Sequence, residues 1–432
     1  MSDRKNLDRA IIPGIKNIER FNIIEASKSF LDNNIPVYTI CNGDQDIIKI
    51  DFVFPAGNWY QSNPLVAFAV NNLLSEGTKT RSSSDIAGLF DYYGAITSYN
   101  VDKDNANVSV LILRKYLPNI LPILHEILSE PVFSTSELDI FRNKHKQLFQ
   151  IEQTKVKNIA RMKLSQMVFG NSHPYGYMLK LADFDQLNSS DLHNFFHKHY
   201  SQSGTNIILS GKVLPEDINL LNSYFGTKKL QSGFEDNLLF KIAPENNHSR
   251  LIEMPDAVQS AIRIGKTIVN KTHPDYTGLS VLNVILGGYF GSRLMRNIRE
   301  EKGYTYGIHS MLVSFKHSGY LAITAEVGTD VTKEALAEVY KEIDFLRNEL
   351  VPEEELERVK SYMLGEMVRM FDGPFAQAES FMSILDFNLG YEYYYNYINQ
   401  LKRITADEIL QLAQEYFKPE DFFQVVVGAI QK

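Results

Sequence analysis

Several sets of residues in this chain have types and spacings that could do chemistry. His193-x-x-x-His197-x-His199 places imidazoles one turn apart on a helix, a spacing that suits a metal. No acidic third ligand or base follows closely in the sequence, and 216 positions later the chain has Ile409, Ala413 and Glu415. These histidines therefore read as a solvated helix surface, as do the isolated His125-Glu126 and His145. Cys41 follows an apolar strand pattern without a nucleophile signature, which predicts a buried structural thiol. Gly287-Gly288-Tyr289-Phe290-Gly291-Ser292 is glycine-rich but lacks the lysine of a phosphate loop. No Gly-x-Ser-x-Gly elbow occurs.

Two further sets stand in well-marked elements. Phe68, Asn71 and Asn72 fall at i, i+3 and i+4 and so share one face of a helix. Asn63 and Pro64 suit its start and Gly77 its end. Phenylalanine has no lone pair to offer a metal, and a neutral amide is a poor ligand and no base. Arg299 and Tyr306 lie seven residues apart with Gly303 between them. Gly303 ends a helix, so Arg299 sits near its last turns and Tyr306 enters a strand. By spacing alone, the helix dipole accounts for the arginine and strand packing for the tyrosine.

The elements that carry these residues recur. Ser189, Asp191 and Tyr200 reappear 216 positions later as Thr405, Asp407 and Tyr416, and Glu126-Ile127 as Glu342-Ile343. Each half opens with a strand, at 47–54 and 260–269. Helices, a hairpin, more helices and a last strand follow. The hairpins pair 96–100 with 107–113, and 305–314 with 319–327. The pattern predicts an α+β fold of two similar domains, each a mainly antiparallel sheet with helices on one face. The domains span 1–225 and 250–432, and a polar linker runs over 226–249. We expect them to be related by pseudo-symmetry, with their sheets turned toward a shared cavity.

Composition bounds the partners. With 432 residues there is material for two or three domains. The 44 Lys and Arg against 52 Asp and Glu leave a net charge of −8 without a long basic run, which argues against nucleic acid. One cysteine excludes an internal disulfide and fits a reducing compartment. The polar stretch 1–14 lacks the apolar core of a signal peptide, and no apolar run is long enough for a membrane span. A cytoplasmic location is expected.

In order along the chain stand Leu73-Leu74-Ser75-Glu76-Gly77-Thr78, His173-Pro174-Tyr175-Gly176, Ser292-Arg293-Leu294 and Arg299-Glu300-Glu301-Lys302-Gly303-Tyr304-Thr305-Tyr306. With the strand 47–57, these segments resemble the pitrilysin/insulinase family of zinc metallopeptidases, in its two-domain, processing-peptidase-like class. The resemblance covers about 23–430. It places Phe68, Asn71 and Asn72 where active members carry His-x-x-Glu-His, and puts the third zinc ligand near 148–150, with Glu152 the nearest acid but not that ligand. The glycine-rich run 287–292 is too short to match the extended glycine-rich loop of the processing peptidase's non-catalytic subunit.

The resemblance gives Arg299 and Tyr306 a role, holding the substrate backbone and donating to the oxyanion. It thereby implies a zinc-less subunit that serves a homologous zinc-bearing partner in peptide hydrolysis. No cofactor is expected on this chain, and zinc is expected on the partner. A homodimer is compatible with the same reading. The alternative is a non-enzymatic scaffold or peptide-binding protein on the same fold.

Overall fold

The computed structural model describes residues 18, 21–200, 204–227 and 237–429. Of the expected linker at 226–249, residues 228–236 lie outside the described residues, as does the stretch 1–14. Six strands belong to the first half: β1 (Ser27–Phe30), β2 (Pro36–Cys41), β3 (Ile47–Phe54), β4 (Ile96–Val101), β5 (Ala106–Leu113) and β6 (Asn206–Gly211). Five belong to the second: β7 (Ser249–Glu253), β8 (Gln259–Ile268), β9 (Thr305–Phe315), β10 (Ser318–Gly328) and β11 (Phe423–Gly428).

Their orders are β1-β2-β6-β3-β5-β4 and β7-β11-β8-β10-β9. Without β1, the two orders correspond strand for strand. Each sheet has one parallel pair, β2 with β6 and β7 with β11, and is otherwise antiparallel. Both hairpins form where the alternation placed them. Edge strands β1 and β7 carry no strong alternation and were not expected.

Period-two burial sorts the faces. Ile48, Ile50, Phe52 and Phe54 of β3 point into one core with helices Val66–Leu73 and Leu117–Ser129. Ile262 and Ile264 of β8 do the same beneath helices Thr332–Asn348 and Ala406–Tyr416. The opposite faces are not turned to a shared cavity, which corrects the expectation. Helix Val156–Phe169 of the first half lies on β8 and β11 of the second. Its Ala160, Leu164 and Met167 share a core with Ala261, Tyr320, Ala322 and Val425. Gly265 permits this approach: a Cβ there would meet Leu321 O at 2.5 Å and Leu164 Cδ2 at 3.1 Å.

In return, helix Gly373–Leu385 of the second half lies on β2 and β6 of the first. There Ala378, Phe381 and Ile384 pack on Tyr38, Ile40, Val53 and Ile208. A buried charge sits in this seam. Asp51 of β3 is fully buried, accepts from Ser109 Oγ and pairs with Lys49 at 3.3 Å. Lys49 reaches Glu379 of the exchanged helix at 3.6 Å.

A second joint is built by His173-Pro174-Tyr175-Gly176. Tyr175 donates its hydroxyl to Asp104 Oδ1 at 2.5 Å, in the β4–β5 turn. Asp104 Oδ2 accepts from Lys316 N at 2.9 Å, in the β9–β10 turn. Trp59 stacks on His317 with centroids 3.8 Å apart. The motif thus ties the tips of both hairpins together.

Asp386 stands beside this joint. Burial, then the neighbouring Asp102, raise its carboxyl to about 6, while Lys271 partly offsets them. Because the folded state binds this proton more tightly than the unfolded chain, the group's contribution is complete below about pH 4 and is lost as pH rises through 6. Asp386→Asn removes that loss. In urea unfolding, wild type should lose about 1 kcal/mol more than the variant between pH 5 and pH 7.5. Equal pH slopes would show that Asp386 titrates normally.

Candidate functional site

Helix Val66–Leu73 begins later than the sequence suggested. Leu65 precedes it at φ 69°, and Asn63, instead of capping it, donates to Asp191 at 2.7 Å. Gly77 has a positive φ, 142°, but lies four residues past the helix end, outside the left-handed helical well.

The three residues expected at the ligand and base positions, Phe68, Asn71 and Asn72, are held as packing groups. Phe68 packs on Phe141 and His145 of helix Thr135–Glu152, at 5.6 and 5.0 Å. Asn71 is completely buried. Its amide donates to Asn100 O at 3.1 Å and accepts from Tyr200 Oη at 3.0 Å. Asn72 donates back to Phe68 O at 2.9 Å. A zinc ion needs lone pairs converging on one point. Here one position is a ring in an aromatic cluster and two are amides spent on neighbouring groups, so the residues do not fit the metal.

The third-ligand region adds nothing. Leu148 is 46% exposed, and Glu152 is tied to Lys155 at 2.5 Å. Among the described residues, no three of His, Cys, Asp and Glu stand close enough together to hold a metal.

The other histidines and the cysteine are placed as follows. His199 is not on the surface: it is 2% exposed, with Nδ1 3.1 Å from Pro55 O, and burial lowers its pKa to about 4. His193 packs instead on Phe133. His125 and His145 are half-buried against aromatic rings, where surface positions were expected. Phe225 beside His125 and Phe68 beside His145 lie far away in sequence, so local spacing could not reveal them. Cys41 is exposed at the end of β2, where a buried thiol was expected, because the strand ends there.

The second half builds an open site. A π-helical stretch, Met295–Glu301, carries Arg299 in its last turn. Lys302 N bonds Asn297 O and Tyr304 N bonds Ile298 O, both at 3.0 Å, across Gly303 at φ +68°. Strand β9 then starts with a bulge. Thr305 lies opposite Val327 and Ile308 opposite Ala325, so Tyr306 and Gly307 together face Glu326. Thr305 Oγ1 fixes the kink by donating to Glu326 O at 2.6 Å and accepting from Gly307 N at 3.1 Å.

The bulge turns Tyr306 outward. It is 91% exposed, and its hydroxyl has no hydrogen-bond partner among the described residues. It lines a cleft of ≈870 Å³ whose other walls include 154–157, at the start of the exchanged helix, and 253–259, from the end of β7 to the start of β8. Arg299 does not line that cleft. Its guanidinium lies 4.8 Å over the ring of Phe290 and makes no ion pair among the described residues. The nearby Arg293 is committed to Glu355, at 3.0 and 2.8 Å. The cleft walls were missed in the sequence, although a glycine inside the strand pattern, Gly307, signals such a bulge.

Comparison with known proteins identifies the family to which this fold belongs. The domain described as insulinase (peptidase family M16) matches residues 45–178, and the one described as peptidase M16 inactive domain matches 186–363. A Bacillus subtilis protein named "Probable inactive metalloprotease YmfF" is 24% identical over 341 residues, 71% of this chain and 76% of its own length. A Helicobacter pylori protein named "Non-peptidase homolog YmxG" is 21% identical, covering 82% of each. The B. subtilis "Uncharacterized zinc protease YmxG" is 24% identical over 70% of this chain and 73% of its own. The crystal structure of a peptidase M16 inactive domain from Pseudomonas fluorescens superposes with a TM-score of 0.79 at 21% identity, covering 94% of this chain and 99% of that one. The chain belongs to the insulinase/pitrilysin family of metallopeptidases and lacks that family's His-x-x-Glu-His helix.

The packing role of Asn71 makes a prediction. Asn71→Asp keeps the shape but removes the N–H donor that meets a backbone carbonyl and buries a carboxylate. It should cost about 2–4 kcal/mol in urea unfolding. An unchanged midpoint would show that the amide is not an essential part of the core.

Proposed function

We propose that this chain is the zinc-less subunit of a heterodimeric peptidase, contributing Arg299 and Tyr306 to peptide hydrolysis by a homologous zinc-bearing partner. The observation that carries the reading is the contrast between the two halves. The ligand positions are filled by packing, while Tyr306 is held 91% exposed on a bulge at the edge of a cleft. A phenol kept out of the core and, among the described residues, without a hydrogen-bond partner is a donor available to a substrate.

The chain's part is binding and charge stabilisation. An extended peptide lies along the cleft. Tyr306 donates its hydroxyl to the carbonyl oxygen as negative charge develops there. Arg299, lifted off Phe290, presents its planar fork to a substrate carbonyl and orients the backbone. The hydrolytic water and the metal belong to the partner. The matching strand orders support an origin of the two halves by duplication. No helix among the described residues is long and apolar enough to cross a membrane. The lone exposed thiol, Cys41, suits a reducing compartment such as the cytoplasm.

The test mixes this chain with a homologous chain carrying His-x-x-Glu-His and measures cleavage of a quenched peptide. Tyr306→Phe deletes only the hydroxyl. Removal of one oxyanion donor costs ~100- to 1,000-fold in known cases. Here turnover should fall at least ~10-fold, with heterodimer assembly intact by gel filtration. Wild-type turnover in the assembled mutant would make Tyr306 a surface residue only. If no zinc-bearing homologue yields activity, the chain is a scaffold or peptide-binding protein on this fold.

A further inference from the structure

A separate cavity of ≈340 Å³ lies in the second half, away from the Tyr306 cleft. It opens between helices Tyr276–Asn283, Glu353–Met370 and Glu392–Arg403. Its volume is at the low end of the ~300–1,000 Å³ typical of small-molecule sites. The walls are unusual in composition: Tyr276, Tyr393 and Tyr397 on one side, Met363 and Met367 on the other. A second π-helical turn, Val284–Gly288, contributes Val284 and Gly288 to the lining. Such turns interrupt a helix at some cost and recur at functional sites.

One half-buried cation, Lys271, lines this space. Its ammonium makes one hydrogen bond among the described residues, to Ser383 O at 2.8 Å, and lies 4.8 Å over the ring of Phe387. An ammonium carries three donors, so capacity remains. Asp386 attracts Lys271 electrostatically, and the other charge at the cavity, Glu366, is already paired with Arg369. Tyr393 adds a hydroxyl with no hydrogen-bond partner among the described residues.

We propose that this cavity binds a small amphiphilic carboxylate, its apolar body among the tyrosines and methionines and its carboxylate on Lys271 and the Tyr393 hydroxyl. Methionine and tyrosine walls accept a flexible apolar chain. A charge-assisted hydrogen bond in a partly desolvated pocket favours a carboxylate over a neutral or cationic head.

Decanoate below its micelle concentration is the probe, titrated calorimetrically into the full chain at pH 7.5. Wild type should show one saturable site. Decan-1-ol should bind at least ~10-fold more weakly, and decyltrimethylammonium more weakly still. Lys271→Gln should weaken decanoate at least ~10-fold without changing decan-1-ol, and Lys271→Arg should restore most of the affinity. Val284→Phe, which fills the space, should abolish both, with thermal unfolding confirming the fold. Absence of saturable decanoate binding by wild type would overturn the proposal. So would equal affinity for decanoate and decan-1-ol, or unchanged decanoate binding in Lys271→Gln.

Discussion

A sheet has two faces, and a single half of this chain has helices enough for only one of them. Everything else in the molecule follows from how the second face is covered. Each half sends one helix, Val156–Phe169 or Gly373–Leu385, onto the other half's sheet. The bare faces are apolar, with Ala261, Tyr320 and Val425 on one and Tyr38, Ile40 and Ile208 on the other. Leaving either in water would forfeit ~25 cal/mol for every Å² of apolar surface. The exchange therefore makes the halves mutually dependent, and hairpin tips joined through Asp104, Tyr175 and Lys316 complete the lock. The Tyr306 cleft is a product of that exchange, since one of its walls is the turn that leads into Val156–Phe169.

In the first half, the three positions expected to match the family's metal helix are filled by packing. The residues do not leave a hole. Phe68 joins an aromatic group with Phe141 and His145, and Asn71 exchanges hydrogen bonds with Asn100 and Tyr200. A buried glutamate at position 71 could not donate to the Asn100 carbonyl, so the amide is suited to this interior in a way a catalytic carboxylate is not. The second half keeps its outward-facing groups: a bulge aims Tyr306, and Gly303 allows the chain to pass from the Arg299 turn into the strand.

Much of this was legible in the residues. The recurrence of Ser189 and Asp191 as Thr405 and Asp407 announced two halves, and the alternation in β5 and β10 gave both hairpins. The glycine at 303 marked the helix end. What local pattern could not show depends on distant contacts. His199 looked solvated because its burial against Pro55 and Tyr60 comes from folding, not spacing. Cys41 looked buried because its strand is apolar, yet the strand stops at it. The exchange of helices was invisible for the same reason: an amphipathic stretch says that a face is covered, not which sheet it covers.

The central claim is that the metal position of this family has become part of the core in this chain. Zinc content tests it most directly, measured by elemental mass spectrometry on chain purified without a metal-affinity tag and dialysed against dilute chelator. The account predicts zinc far below one ion per chain, with folding unaffected. About one tightly held zinc per chain would contradict it.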